Sequence, residues 1–110
     1  MSITKRTAKR PETAPAAPPW TFLTNHAHVL ICIAEDPKAR IRDLAGRVGL
    51  TERGIQKIIA ELEDGGYLTH VRQGRRNVYV VRPNQPLRHR VERHGSVAVL
   101  LELATASAVR

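Results

Sequence analysis

The sequence predicts a mainly α-helical domain carrying one small β-hairpin, and three patterns along the chain predict it. Between Asn25 and Asp64, three segments repeat apolar residues at helical spacing, with short turn-forming stretches between them. Two further segments, Tyr67 to Arg72 and Asn77 to Val81, are rich in β-branched and aromatic residues and flank a glycine-containing stretch. After Pro83 and Pro86, the chain from Leu87 to Ala106 returns to helical spacing. The 110 residues have room for one compact domain with tails, and a domain of this size buries enough apolar surface to fold without staples.

Taken in order, residues 1–19 combine Lys5, Arg6, Lys9 and Arg10 with four prolines, too few apolar side chains to offset the entropy of ordering. They read as a disordered basic arm, either a DNA-contacting arm or a solubilising tail. Thr24 and Asn25 are good helix-capping residues, after which Ala27, Leu30, Ile31 and Ala34 recur until Asp36-Pro37 stops the pattern. This predicts a first helix over 25–35. A second, short helix over 42–48 turns Leu44, Ala45 and Val48 inward and closes at Gly49, which tolerates a left-handed turn. Thr51 caps a third helix, 51–64, whose Ile55, Ile58, Ile59 and Leu62 form one stripe before Gly65-Gly66. The hairpin follows, with a loose basic tip at Gln73-Gly74-Arg75-Arg76. Gly95-Ser96 interrupts the final helical stretch.

Charge narrows the partners. The net charge is +8 and the isoelectric point near 10.8, which favours a polyanion, most often nucleic acid. Residues 1–19 carry four positive and one negative charge, 20–83 ten against seven, and 84–110 four against two, so the short arm is as basic, net, as the whole domain. A single cysteine leaves no intramolecular disulfide, and no Cys/His spacing matches a zinc site. Cys32, within Val29-Leu30-Ile31-Cys32-Ile33, reads as a buried small hydrophobe rather than a redox sensor. No nucleophile-base pair, phosphate-binding glycine loop or paired carboxylates appear, so neither an enzyme nor a bound cofactor or metal is expected. The absence of a long apolar run or signal peptide predicts a cytoplasmic protein, and the basic balance a nucleoid-associated one.

The order of helix, tight turn and capped helix lets one helix cross a DNA backbone while the next enters the major groove. Here, over Ile41 to Ile59, the chain resembles winged helix-turn-helix regulators of the MarR type. The Leu44-Ala45 pair, the Gly49-Leu50-Thr51 turn and the Leu62-Glu63-Asp64-Gly65-Gly66-Tyr67-Leu68 exit carry the resemblance, which covers about residues 22 to 82. It implies a three-helix core plus wing, to which the helical spacing after Pro86 adds a C-terminal helix. It also implies base contacts from Thr51, Arg53, Gly54, Gln56 and Lys57. Gly54 departs from the pattern, standing where Ser or Thr is usual, so one contact is lost and the backbone is free to approach closely.

The residues support those assignments independently. Gln56 can pair bidentately with adenine, and Arg53 and Lys57 with guanine. The plain alternative for Lys57 is an ion pair with Glu61 one turn on, and for Arg53 simple solvation. Basic residues early in this helix and acidic ones late run against its dipole, so helix stability did not select that order. Arg72, Arg75 and Arg76 cluster at the hairpin tip, where guanidinium groups reach phosphates or the minor groove, with Asn77 the weakest member of that set.

The expected organisation is therefore the arm over 1–19, a winged helix-turn-helix domain over 20–83, and a C-terminal helical segment over 84–110. The last carries an apolar stripe of Leu87, Val91, Val97, Leu100, Leu101 and Ala104. It either folds back on the first helix or pairs with a twofold mate, and pairing is the preferred reading. The function expected is a dimeric, sequence-specific regulator, a repressor, acting on an inverted repeat in duplex DNA. A protein-protein interaction module and a non-specific nucleoid or RNA binder are the alternatives.

Overall fold

The computed structural model describes residues 18–108, so the basic arm expected over 1–19 falls almost wholly outside the described residues. Four helices and one hairpin follow in the order α1 (Asn25–Glu35), α2 (Ile41–Val48), α3 (Glu52–Asp64), β1 (Leu68–Gln73), β2 (Arg76–Val81) and α4 (Val97–Ala108).

Local chemistry explains most of the boundaries. The Thr24 side chain accepts a hydrogen bond from Ala27 N and so opens α1. At the start of α2, the Asp43 carboxylate reaches back 3.3 Å to the Arg40 N–H. Gly49 ends that helix at φ 86°, a left-handed conformation that costs a residue with a Cβ about 1 kcal/mol or more. Thr51 then caps α3 through Gly54 N at 3.0 Å.

The core is built by all four helices and one face of the hairpin. Val29 and Ile33 of α1, Leu44 of α2, Ile55 of α3, Leu68 of β1 and Val97 of α4 are the most deeply buried side chains, each adding roughly 1.5–3 kcal/mol. The stripe expected on α3, Ile55, Ile58, Ile59 and Leu62, is buried as a unit. The face of α1 differs from expectation: Val29, Leu30, Cys32 and Ile33 are inside, while Ala34 is exposed. Residues 29–34 are all apolar, so spacing alone supports several faces. Packing of α1 against α2, α3, α4 and β2 selects among them. Cys32 lies in this core, and its burial pushes the thiol pKa up, only partly countered by Arg47. Arg47 pairs with Glu35 at 2.9 Å, tying α2 to α1 across the surface.

The hairpin is tighter than the sequence suggests. Pairing runs from Leu68 opposite Val81 to Gln73 opposite Arg76, leaving Gly74 and Arg75 alone in the turn, with Gly74 at φ 62°. The tip is thus a two-residue turn instead of the four-residue one expected, because glycine in the turn lets the ladder close one pair further out. Tyr67, expected in the first strand, lies just before it, although its carbonyl still accepts from Arg82 N at 3.0 Å.

The expected helix from Leu87 onward is corrected. Residues 87–95 form a closed loop whose ends meet in an isolated bridge between Pro86 and Ser96, with Leu87 N bonded to Gly95 O at 3.0 Å. Inside it the His89 ring nitrogen accepts from Val91 N, taking a backbone donor that a helix needs. Regular helix begins only at Val97, whose N–H, with that of Ala98, is satisfied by the carbonyls of Gln85 and Pro83. Of the C-terminal stripe, Val97 is buried and Leu87, Leu100 and Leu101 pack on the core, so α4 lies back against α1. Val91 is exposed, and α4 also exposes Val99 and Leu103.

Candidate nucleic-acid interface

Burial of one face of α3 determines what the other presents. With the four-residue stripe inside, Arg53, Gln56 and Lys57 lie on the exposed surface of the first two turns. None of these three side chains makes a hydrogen bond or ion pair among the described residues. The Lys57–Glu61 pair considered as an alternative does not form. Glu61 is instead held by His26 of α1, Nε2 to Oε1 at 2.7 Å, and that bond keeps its carboxyl below the usual value. The Lys57 charge also acts on Glu61, more weakly than the bond from His26, but makes no ion pair with it at contact distance.

Thr51 and Gly54 turn out to be a structural couple. The Thr51 hydroxyl oxygen caps the helix, and the N–H it accepts from belongs to Gly54. A Cβ at position 54 would stand 3.3 Å from that same oxygen, a tight fit, so the glycine keeps the cap seated. The approach of a ligand to the Gly54 backbone therefore meets an N–H already in use.

The wing is anchored to the helix it accompanies. His70 of β1 bonds the Glu63 carboxylate near the end of α3, and its ring stands edge-on to Tyr79 of β2, with centroids 5.9 Å apart. At the tip, Arg72 Nε donates to the Gly74 carbonyl at 3.1 Å and braces the turn. Arg75 is exposed with no side-chain partner among the described residues. Arg76, expected to be free at the tip, is tethered, and Asn77, the weakest member of the expected set, is drawn inward. Arg76 donates 3.1 Å to the Lys38 carbonyl in the turn between α1 and α2, and Asn77 is half-buried.

Two features escaped the sequence. The α1–α2 turn docks on β2 through Tyr79 N to Pro37 O at 3.0 Å, which brings Lys38 and Arg40 to the wing. Asp36-Pro37 was legible only as a helix stop. The histidines that pin α3, His26 and His70, also gave no signal, since their partners are 35 and 7 residues away.

The geometry thus sets a helix whose early residues Arg53, Gln56 and Lys57 make no side-chain hydrogen bond or ion pair among the described residues, on a domain that also carries an arginine-tipped hairpin fastened to the end of that helix. Residues 24–69, from the cap of α1 into β1, match the family of winged helix-turn-helix DNA-binding domains. No curated protein matches the sequence. Among solved structures, the chain is similar to the PcaV transcriptional regulator of Streptomyces coelicolor, determined with its natural ligand. That likeness has 24% identity and a TM-score of 0.51 over 77% of this chain and 62% of that one. It is also similar to a variant of ZitR from Lactococcus lactis, at 15% identity and a TM-score of 0.54 over 86% of this chain and 59% of that one. At these identities the likeness shows the fold, a winged helix-turn-helix, and the chain spans less than two thirds of either structure. Among the described residues, no helix is long and apolar enough to cross a membrane.

Proposed function

We propose that this protein is a cytoplasmic, sequence-specific transcription regulator that binds duplex DNA with the first half of α3 in the major groove and the wing on the flanking backbone. The observation that carries the reading is the set Arg53, Gln56 and Lys57 on the exposed face of α3, without a side-chain hydrogen bond or ion pair among the described residues and within the span matched to a winged-helix DNA-binding domain, on a chain whose hairpin tip exposes Arg75. A glutamine and two cations without internal partners are the groups that read adenine and guanine edges. Thr51 contributes through the cap and its remaining hydroxyl proton, Arg72 by bracing the tip.

The regulator acts as a homodimer on an inverted repeat, and represses by occupying the promoter. Val99 and Leu103 on the outer side of α4, 55% and 62% exposed, supply apolar surface for a twofold mate. Selection of random duplex DNA on the purified protein, with the winners' affinity followed against salt, tests this. The expected result is an inverted repeat whose binding weakens steeply as salt rises. Salt-sensitive binding without a motif would replace the reading with a non-specific nucleoid protein, and no binding at low salt with a protein-interaction module.

A further inference from the structure

The outer part of the wing and the α1–α2 turn form a cleft of about 260 Å³, and four cations line it: Lys38 and Arg40 from the turn, Arg75 and Arg76 from the hairpin. We infer that this cleft is a clamp for the DNA phosphate backbone, in which Lys38 and Arg40 each engage a phosphate of the strand that the wing follows. The inference rests on the DNA-binding reading above, and it assigns a role to two residues that neither the helix nor the wing accounts for.

The charge arrangement points to an anion. Four like charges around one cleft repel one another, and among the described residues no carboxylate lies within ion-pairing distance of any of them. The acids closest in sequence are occupied elsewhere: Asp36 accepts from the Lys38 backbone N–H at 3.2 Å and Asp43 from that of Arg40 at 3.3 Å. The side-chain cations are left to solvent while their backbones are held.

The cleft is also preformed. Its two walls are joined by Tyr79 N to Pro37 O at 3.0 Å and by Arg76 to the Lys38 carbonyl at 3.1 Å, so closing on a ligand needs only side-chain movement. Arg76 spends one N–H on that bond and keeps the rest of its guanidinium, whose planar fork suits a phosphate. Asn77, which lines the cleft as well, buries its Oδ1 with no partner among the described residues. A buried acceptor left so is costly. Duplex DNA fits better than a free anion because Arg75 belongs at once to the cleft and to the wing tip, which makes the cleft continuous with the proposed interface.

The double variant Lys38→Ala/Arg40→Ala tests the clamp, with binding to a mixed-sequence duplex measured across salt. Loss of two phosphate contacts is expected to lower the salt slope by about 1.8, so that raising salt from about 50 to about 200 mM weakens the variant about 12-fold less than the parent. The thermal midpoint and the preferred sequence are expected to stay unchanged, and Lys38→Arg to keep the slope. An unaltered slope and affinity overturn the clamp, while Arg53→Ala in the same assay shows whether the DNA reading survives on its own. Inorganic phosphate, at matched ionic strength, is expected to compete no better than chloride; selective competition seen only with the parent would make this a free-anion site instead. A parent protein that binds no duplex at low salt overturns the clamp together with the reading beneath it.

Discussion

The two halves of α3 are treated in opposite ways by the rest of the molecule. In the first two turns, Arg53, Gln56 and Lys57 have no side-chain partner among the described residues. In the last two, Glu61 and Glu63 are each bonded by a histidine, His26 of α1 and His70 of β1. The acidic half fastens the helix to its neighbours on both sides, whereas the basic half is presented. Glu52 in the first turn suits the helix dipole, whereas Arg53 and Lys57 early and Glu61, Glu63 and Asp64 late oppose it. The difference teaches that a charge the fold has already paired is a packing element, and one it leaves unpaired is available to a ligand.

The comparison breaks most visibly at the stripe beneath both halves. Ile55→Ala and Ile59→Ala remove buried side chains and are expected to cost about 2–5 kcal/mol each, read from denaturant unfolding. Arg75→Ala, at an exposed and unpartnered position, is expected to stay within about 0.5 kcal/mol of the parent. If its midpoint fell as far as that of Ile59→Ala, the arginine would be structural and the wing assignment wrong.

A sharper version compares sequences instead of stabilities. Gln56→Ala should leave folding unchanged but lose about 1–3 kcal/mol of discrimination at the base it reads, measured as relative affinity for selected and substituted duplexes. Equal weakening on every duplex would make Gln56 a backbone contact and move base reading to Arg53 and Lys57.

The smallest effect belongs to the acidic half. Because the bond from His26 lowers the Glu61 carboxyl pKa, this group contributes stability that is present above the ordinary carboxylate range and lost as pH falls through the lowered value. Glu61→Gln is therefore expected to flatten the acid side of the stability profile slightly and leave neutral pH nearly unchanged. An identical acid limb in parent and variant would show that the bond to His26 contributes nothing in solution, as many exposed pairs do.

Much of the fold is legible where local chemistry acts alone. Thr24, Gly49 and Thr51 mark helix ends through one hydrogen bond or one dihedral, and the α3 stripe follows from 3.6-residue periodicity with no competing face. Legibility fails where several solutions are locally equivalent. The apolar run of α1 does not say which face is inside. The stretch after Pro86 has the composition of a helix but closes as a loop, because its ends pair and His89 captures a backbone donor. The candidate site divides in the same way. Arg53, Gln56, Lys57 and Arg75 were identifiable from position on an element, while the tethering of Arg76 and the arrival of Lys38 and Arg40 beside it depend on contacts 38 residues apart.

By itself, then, the sequence determined the element order, the capped third helix, the arginine-rich hairpin and the basic balance of the chain. Each of these is encoded in spacing, capping chemistry or a count of charges within a few residues. Only the tertiary structure decided which of those charges are spent inside the molecule and which remain free, and whether the C-terminal stripe rests on α1. The physical reason is that an ion pair or a buried face depends on distance in space, and the partners of His26, Arg76 and Val97 come from segments that only packing brings within a few ångströms.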